Sequence, residues 1–258
     1  MGKRTSYAPG TFSWVDLATT DAASAKPFYS GVFGWDLHDT DAGGGAVSTL
    51  CRVDGDAVCG LYEMSDDVRS AGGQPNWTSH VTVSDADAAM ARARELGGGV
   101  IRGAFDVLDL GRMAVLEDPQ GAAFAVWQAR ARIGAERVND VGCLCMNELV
   151  TTDMKAAGSF YERLFGWTTE VSDDAPEGPA MVLNDGHING SVFAAPEGAA
   201  PHWRPCFTVA STDRAGERVL ELGGQQLGEP LDIGHGSIVM VRDPQGALFT
   251  MFAGEVDP

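Results

Sequence analysis

Two predicted strands each carry, on one face, a side chain that can handle protons. Residues 11–18 alternate in polarity, which predicts a strand with Trp14 and Asp16 on the same face. Residues 77–83 predict a second strand, which carries His80. An aspartate beside a histidine orients the imidazole or raises its pKa, and a histidine exchanges protons near neutral pH. If the two strands are neighbours, Asp16 and His80 are candidate catalytic residues, and a purely structural role is the alternative.

The elements that position these residues occur twice, because the chain repeats its pattern. Short motifs recur in the same order in both halves, at nearly constant spacing. The matching pairs are residues 16–21 and 148–153, 28–35 and 160–167, 96–98 and 222–224, and 118–121 and 243–246. A repeat of this kind predicts two homologous domains. We assign them to residues 1–130 and 141–258, with residues 131–140 as a linker.

Each half contains helical and strand patterns in a fixed succession. Apolar residues at helical spacing follow the first strand, and Asp21 or Ser24 can cap that helix in the first half. Gly34 is positioned to end the helix in a left-handed turn. Pro27 fits if the helix begins at Ser24, because its missing N–H then lies in the first turn. Strands follow, and then strand, helix and strands come again, which predicts two βαβββ modules in each half.

These features resemble the vicinal oxygen chelate family, also called the glyoxalase, bleomycin-resistance and extradiol-dioxygenase family. The resemblance rests on the Thr-Asp after the first strand, the Phe-Tyr and Phe-Gly-Trp of the helix, and the Asp-Pro-Gln-Gly turn, all present twice. It implies an α+β fold of two tandem glyoxalase-like domains, each of two βαβββ modules that form a cupped mixed sheet. The sequence is most similar to double-domain members found beside antibiotic biosynthesis genes. The family includes isomerases, dioxygenases and drug-binding proteins, so the resemblance does not fix the chemistry.

The resemblance also indicates where a metal site would lie. Metal-dependent members use His, Gln or Glu at three strand positions that face the cup. The corresponding positions here are Trp14, Thr78 and Ala125 in the first domain and Met146, Arg204 and Thr250 in the second. None of these side chains is a strong metal ligand, and a shift of the alignment by two residues completes no set of ligands. The sequence therefore predicts no metal site and no cofactor.

Family geometry places the first strand of a domain beside the strand that opens its second module. Asp16 and His80 then meet in the first cup. Six further residues are predicted to bind substrate in the two cups: Trp14, Thr78, Met146, Glu148, Arg204 and Cys206. The second cup has no histidine equivalent to His80, which indicates that the cups have diverged. Because paired domains of this family can exchange modules, Asp16 could instead face Cys206, and Glu148 could face His80.

Composition limits the class of partner. The chain has 36 acidic residues against 18 Lys and Arg, a formal net charge of −18, so nucleic acid and anionic lipid would be repelled. No apolar stretch is long enough to span a membrane, and the odd number of cysteines favours reduced thiols. We expect a cytoplasmic protein, without nucleic-acid or membrane partners, that binds an aromatic small molecule. Fusion of two repeats favours a monomer or a weak homodimer.

Three functions follow from these observations. The first is a metal-independent acid–base transformation of an aromatic or polyketide-like compound in secondary metabolism: isomerisation, cyclisation, elimination or hydrolysis. The second is non-catalytic binding or sequestration of a drug or metabolite, which an apolar cup also permits. The third is a metal-dependent lyase of the glyoxalase type. The sequence leans towards an enzyme of the lyase or isomerase kind and does not identify its substrate.

Overall fold

A computed structural model describes residues 2–43, 45–171 and 178–256. The described elements of the first half are β1 (Phe12–Thr19), α1 (Ala22–Phe33), β2 (Asp36–Gly43), β3 (Ala46–Val53), β4 (Asp56–Glu63), α2 (Asp66–Ser70), β5 (Asn76–Thr82), α3 (Ala86–Glu95), β6 (Gly99–Val107), β7 (Gly111–Glu117) and β8 (Ala123–Ala129). Within these described ranges, no helix is both long and apolar enough to cross a membrane.

The second half repeats this order of elements. Its described elements are β9 (Leu144–Thr151), α4 (Met154–Phe165), β10 (Thr168–Val171), β11 (Ala180–Asn184), β12 (His187–Ala194), β13 (His202–Thr208), α5 (Thr212–Glu221), β14 (Gln225–Gln226), β15 (Leu231–Asp232), β16 (Gly236–Arg242) and β17 (Leu248–Gly254). The predicted α+β fold of two repeated domains, each built from two βαβββ modules, is therefore confirmed.

Each half forms its own sheet. The strand order is β2-β3-β4-β1-β5-β8-β7-β6 in the first sheet and β10-β11-β12-β9-β13-β17-β16-β14 in the second. In the first sheet β1 runs parallel to β4 and antiparallel to β5, so the two modules of one half join at their first strands. Strand β9 joins β12 and β13 in the same way. The exchanged arrangement is wrong for this chain: Asp16 does not face Cys206, and Glu148 does not face His80.

Helix α1 begins at Ala22, two residues before the start at Ser24 that would have placed Pro27 in the first turn. Asp21 is the N-cap, and its carboxylate accepts a hydrogen bond of 2.9 Å from the backbone N–H of Ser24. Pro27 therefore lies inside the helix, where it removes one backbone hydrogen bond. Burial of Phe28 on the same helix compensates for that loss. Gly34 ends the helix with φ of +72°, as its position predicted.

The hydrophobic core lies where the helix-bearing faces of the two sheets meet. In one cluster, Tyr29 of α1 and Trp77 of β5 pack on Phe207 and Phe249 of the second half. A second cluster makes the equivalent contacts with the halves interchanged, with Phe124 packing on Tyr161. The opposite faces of the sheets point away from this core and are left to form the sites.

The segment predicted as a linker packs against the first sheet. Ala135 is buried beside Trp14, and its N–H donates to the Ser13 carbonyl at 2.7 Å. The N–H of Glu136 donates to the Ala57 carbonyl at 2.7 Å, and its carboxylate accepts from the Ala57 N–H at the same distance. This segment therefore fills one end of the first sheet's open face. Its scattered charges and lack of periodicity gave no sign of this in the sequence.

Candidate functional site

The face of each sheet that turns away from the helices is a candidate site. We call the face that bears Trp14, Asp16, Gly60, Thr78 and His80 the first cup. We call the face that bears Met146, Glu148, Ser191, Arg204 and Cys206 the second cup. Both sets follow from strand register, since paired residues of neighbouring strands project to the same side.

Asp16 and His80 come together in the first cup. Strand β1 pairs with β5 so that Trp14 lies opposite His80 and Asp16 opposite Thr78. The Asp16 Oδ2 atom lies 3.1 Å from His80 Nε2. The ring N–H is not aligned with this oxygen, and neither ring nitrogen has a hydrogen-bond partner among the described residues. The His80 side chain is 2% exposed and that of Asp16 is 24% exposed, so a ligand would meet the carboxylate first.

Two neighbours hold the Asp16 carboxylate in place. The indole N–H of Trp14 donates to Asp16 Oδ1 at 2.8 Å. Gly60 lies opposite Asp16 on β4, and a Cβ on Gly60 would overlap the same oxygen. The carboxylate thus extends over a residue without a side chain, which is why a glycine occupies the middle of this strand.

Tyr62 and Arg132 give the open end of the first cup its polar character. Tyr62 follows Gly60 on the same face of β4, and partial burial together with the Asp16 charge raises its pKa to about 12. The hydroxyl therefore keeps its proton at neutral pH. The Arg132 guanidinium lies 5.5 Å from the Trp14 ring centroid. Burial lowers the pKa of Arg132, opposed by the charges of Glu136 and Asp16.

The second cup replaces the carboxylate and imidazole with a carboxylate and a guanidinium. Glu148 occupies the position of Asp16, and its side chain is 2% exposed. The Arg204 Nε–H donates to Glu148 Oε2 at 2.6 Å, and the Thr250 hydroxyl donates to the same oxygen at 3.0 Å. The Glu148 charge is therefore balanced inside the cup, and this carboxylate is not poised as a base.

The remaining predicted substrate-binding residues differ in accessibility. Met146 is half-buried and lines a cleft of about 270 Å³ between β9 and the N-terminal segment. Cys206 is buried, and the hydrogen bond with the neighbouring Cys145 thiol, together with burial, raises the pKa of its own thiol. Thr78 is partly buried beside Asp16 in the first cup. A larger groove of about 610 Å³ lies between α1 and α5, away from both cups.

The donor set does not fit the divalent ion that the fold family implies. Trp14 uses its N–H on Asp16, Ala125 stands opposite His80, and Glu148 is held by Arg204. Within residues 2–43, 45–171 and 178–256, no group of three or more His, Cys, Asp or Glu converges. A divalent ion in a protein takes several such ligands, so these cups offer it too few.

Sequence reasoning missed several residues that shape the cups. Three of them lie on strands β4 and β12: Gly60, Tyr62 and Ser191. Because side chains alternate between the two faces of a strand, these residues could have been assigned to the cups once the cup-facing residues of β1 and β9 were known. Arg132 belongs to the linker, which carried no periodic signal. His202 on β13 contributes a buried ring nitrogen that has no hydrogen-bond partner among the described residues.

Comparison with known families identifies both halves. Residues 11–126 match the model described as the glyoxalase/bleomycin resistance protein/dioxygenase superfamily, and residues 143–252 match a glyoxalase-like domain. The two matched segments coincide with the two sheets.

Individual relatives extend this similarity over the whole chain. The protein named putative glyoxylase CFP32 of Mycobacterium tuberculosis is 38% identical over 255 residues, 97% of each chain. The anthracycline biosynthesis protein DnrV of Streptomyces peucetius is 37% identical over 262 residues, 96% of this chain and 94% of that one. The Mn(II)-bound glyoxalase from Novosphingobium aromaticivorans shares the fold, with a TM-score of 0.65 at 16% identity over 96% of this chain and 84% of that chain.

Proposed function

The chain belongs to the glyoxalase/bleomycin resistance/dioxygenase superfamily, and from that premise we propose that it catalyses a metal-independent proton transfer on an aromatic or polyketide-like small molecule. The proposed reaction is an isomerisation in secondary metabolism. The relatives named for anthracycline biosynthesis support that setting, since they are 37% identical along almost the whole chain.

One observation carries the proposal: a partly exposed carboxylate stands 3.1 Å in front of a buried imidazole that has no other described partner. Buried polar atoms are seldom left unpaired, and such exceptions are frequent where chemistry is done. The poor alignment of the Asp16–His80 contact is compatible with a catalytic site, because catalytic hydrogen bonds often become well aligned only when the ligand is bound.

The exposed fractions of the Asp16 and His80 side chains indicate which of them contacts the ligand. Asp16 touches the ligand and takes a proton from an acidic C–H or hydroxyl group at Oδ2. His80, behind it, acts as a positioning residue that stabilises the carboxylate through Nε2 and shares the proton. Asp16 then returns the proton to a second position of the ligand. Proton and charge balance without an oxidant or reductant, and the apolar wall of Trp14 limits the access of water.

A substitution series tests the proposal. The probe is hydrogen–deuterium exchange, followed by NMR, into polycyclic aromatic ketones with an enolisable position. Wild type should accelerate exchange, and Asp16→Asn should lower the rate about 100-fold or more, the usual contribution of a positioned general base. His80→Ala should lower the rate while ligand binding is retained. The control Asp109→Asn removes an exposed loop carboxylate and should leave the rate unchanged.

Sequestration without catalysis is the second candidate. It is favoured by the burial of His80, which keeps the imidazole from direct contact with a ligand. Under this alternative, wild type would bind the aromatic ketone without exchange, and Asp16→Asn would bind it equally well. That combination of results would contradict the catalytic proposal.

A further inference from the structure

A groove between helices α1 and α5 lies outside both cups, and we call it the α1–α5 groove. Its volume is about 610 Å³, within the range of small-molecule sites in proteins. Helix α1 belongs to the first half of the chain and α5 to the second, so the groove crosses the boundary between the halves. Its apolar surface includes Phe33 on α1, Val209 before α5 and Ala215 on α5.

The charges along this groove are opposite in sign to the charge of the whole chain. The formal net charge is −18, but none of the described residues that line the groove is acidic. Arg214 and Arg218 both line it. These two residues are four positions apart on α5, so their side chains project from the same side of the helix. A groove with this lining favours an anion over a cation.

Arg214 has no counter-charge of its own. Its guanidinium makes no ion pair and no hydrogen bond with any residue that the structure describes. It lies in the first turn of α5, where the helix dipole makes a cation unfavourable unless an anion accompanies it. Asp213, the acidic residue of the same turn, does not line the groove. An anion in the groove would therefore meet an unpaired guanidinium.

Arg218, in contrast, is held between the two helices. Its Nε–H donates to the Gly31 carbonyl of α1 at 3.2 Å, and its Nη1 donates to Glu221 at 2.8 Å. Glu221 balances its charge, and its Nη2 makes no hydrogen bond with the described residues. The groove therefore offers one uncompensated positive charge, that of Arg214, and a second donor in a fixed position. This combination suits a monoanion such as a carboxylate better than a dianion.

The equivalent helices α4 and α3 show which features of the groove the fold does not require. The apolar residues recur there, in the pairs Phe33 with Phe165, Val209 with Val83, and Ala215 with Ala89. The charged residues do not recur. Asp85 takes the place of the N-cap Ser211, and Ala88 takes the place of Arg214. The apolar lining thus belongs to the repeated fold, whereas the positive charge is particular to the α1–α5 groove.

We propose that the α1–α5 groove binds an apolar molecule that carries one carboxylate. The carboxylate accepts hydrogen bonds from Arg214 and from Nη2 of Arg218, and the apolar body lies against Phe33 and Val209. Because these residues come from both halves, the ligand bridges the halves. The site is separate from the cups, and the inference does not depend on the proposed reaction.

Two probes that differ in charge and hardly in shape test this inference. One is anthracene-2-carboxylate and the other is anthracene-2-carboxamide, and the anisotropy of anthracene fluorescence at low ionic strength measures their binding. Wild type should bind the carboxylate about tenfold more tightly than the amide, the effect of one charge-assisted hydrogen-bonded pair. Arg214→Ala should lower this preference to about twofold or less, because Glu221 already balances the charge of Arg218.

A matched variant and a spectrum locate the effect in the groove. Arg94→Ala removes an exposed arginine of α3 whose side chain has no described partner, so it makes the same change of net charge elsewhere. It should bind both probes as wild type does. In nitrogen–proton NMR of unaltered protein, the carboxylate should shift the backbone amide resonances of Arg214 and Ala215 and leave those of Asp16 and Glu148 in the cups unchanged.

The inference is overturned if wild type binds neither probe or binds both equally. It is also overturned if Arg214→Ala keeps the preference, if Arg94→Ala loses it as well, or if the shifted resonances belong to the cups. Failure of the proposed reaction would appear separately, as the absence of hydrogen–deuterium exchange in wild type.

Discussion

At the scale of single residues, the two cups differ in the group that contacts an equivalent carboxylate. Asp16 and Glu148 occupy equivalent positions, but Asp16 meets an imidazole and Glu148 meets a guanidinium. An imidazole can accept or release the proton that a carboxylate handles, whereas a guanidinium stays protonated. We therefore place the proposed proton transfer in the first cup.

The position of the Asp16 carboxylate should depend on the absence of a side chain at Gly60. Gly60→Ala places a Cβ where Asp16 Oδ1 lies, so we expect the carboxylate to leave His80. The exchange rate should fall at least tenfold, and overpacking should lower the free energy of unfolding by about 1–3 kcal/mol. The matched control is Gly103→Ala on β6, where a Cβ meets no atom within 4 Å. An unchanged rate in Gly60→Ala would contradict this account of the site.

His202 should make the protein sensitive to mild acid. Its folded-state pKa is lowered, chiefly by burial, below the unfolded value of about 6.5. As the pH falls below that value the unfolded chain takes up the proton first, so wild type loses stability. His202→Phe lacks this proton uptake and should gain stability relative to wild type on acidification. Urea unfolding midpoints at neutral and mildly acidic pH measure this, and a difference that is independent of pH would contradict the expected linkage.

Some of the site could be predicted from the sequence, because strand parity is a local property. It put Trp14 with Asp16 on one face and fixed the face that His80 occupies. Which strand lies beside β1 is a tertiary property, and both module arrangements satisfy the same parity. The proximity of Asp16 and His80 therefore depended on the family resemblance, and their catalytic role stays a prediction.

At the scale of elements, the repeated motifs connect the two halves. The Tyr29 hydroxyl donates to Asp243 Oδ2 at 2.9 Å, and the Tyr161 hydroxyl donates to Asp118 Oδ2 at 3.2 Å. Each aspartate also accepts backbone N–H groups of its own Asp-Pro-Gln-Gly turn. The helix motif of one half thus fixes the turn motif of the other, which gives both motifs a structural role.

Removing the Tyr29 hydroxyl should destabilise this connection. Tyr29→Phe leaves Asp243, which is 2% exposed, without one of its buried donors. We expect the free energy of unfolding to fall by about 1–3 kcal/mol. Tyr161→Phe should have a similar effect by pseudosymmetry. The control is Tyr62→Phe, which alters a half-exposed tyrosine on a cup wall. Equal stability of Tyr29→Phe and wild type in urea would contradict this role.

Elements without a buried face were the ones whose positions the sequence did not indicate. Strand β2 (Asp36–Gly43) is almost wholly exposed, so it shows no apolar alternation for the pattern to detect. The linker, in contrast, does contain a buried residue. Ala135 packs with Trp14, which is far away in the sequence, so no local pattern could indicate the contact. Helices α1 and α4 were predictable because each buries an aromatic stripe and ends at a left-handed glycine.

At the scale of the whole molecule, the core belongs to neither half alone. Both apolar clusters combine side chains from the two sheets, as Trp77 with Phe207 and Phe12 with Trp203 show. The interface between the halves is therefore a folding core, and the cups on the outer faces can change their polar residues without disturbing it. This arrangement is consistent with cups whose polar residues differ while the repeated motifs of the core are shared.

The halves should accordingly fold together and fail to fold apart. Residues 1–140 produced alone would expose the face that carries Phe28 and Trp77, and residues 141–258 would expose Phe207 and Phe249. Apolar patches of this kind drive association or aggregation. We expect each half alone to lack a cooperative unfolding transition, and the two halves produced together to purify as a one-to-one complex. Size-exclusion chromatography and thermal unfolding measure both properties. A monomeric half that unfolds cooperatively would show that its sheet has a sufficient core of its own.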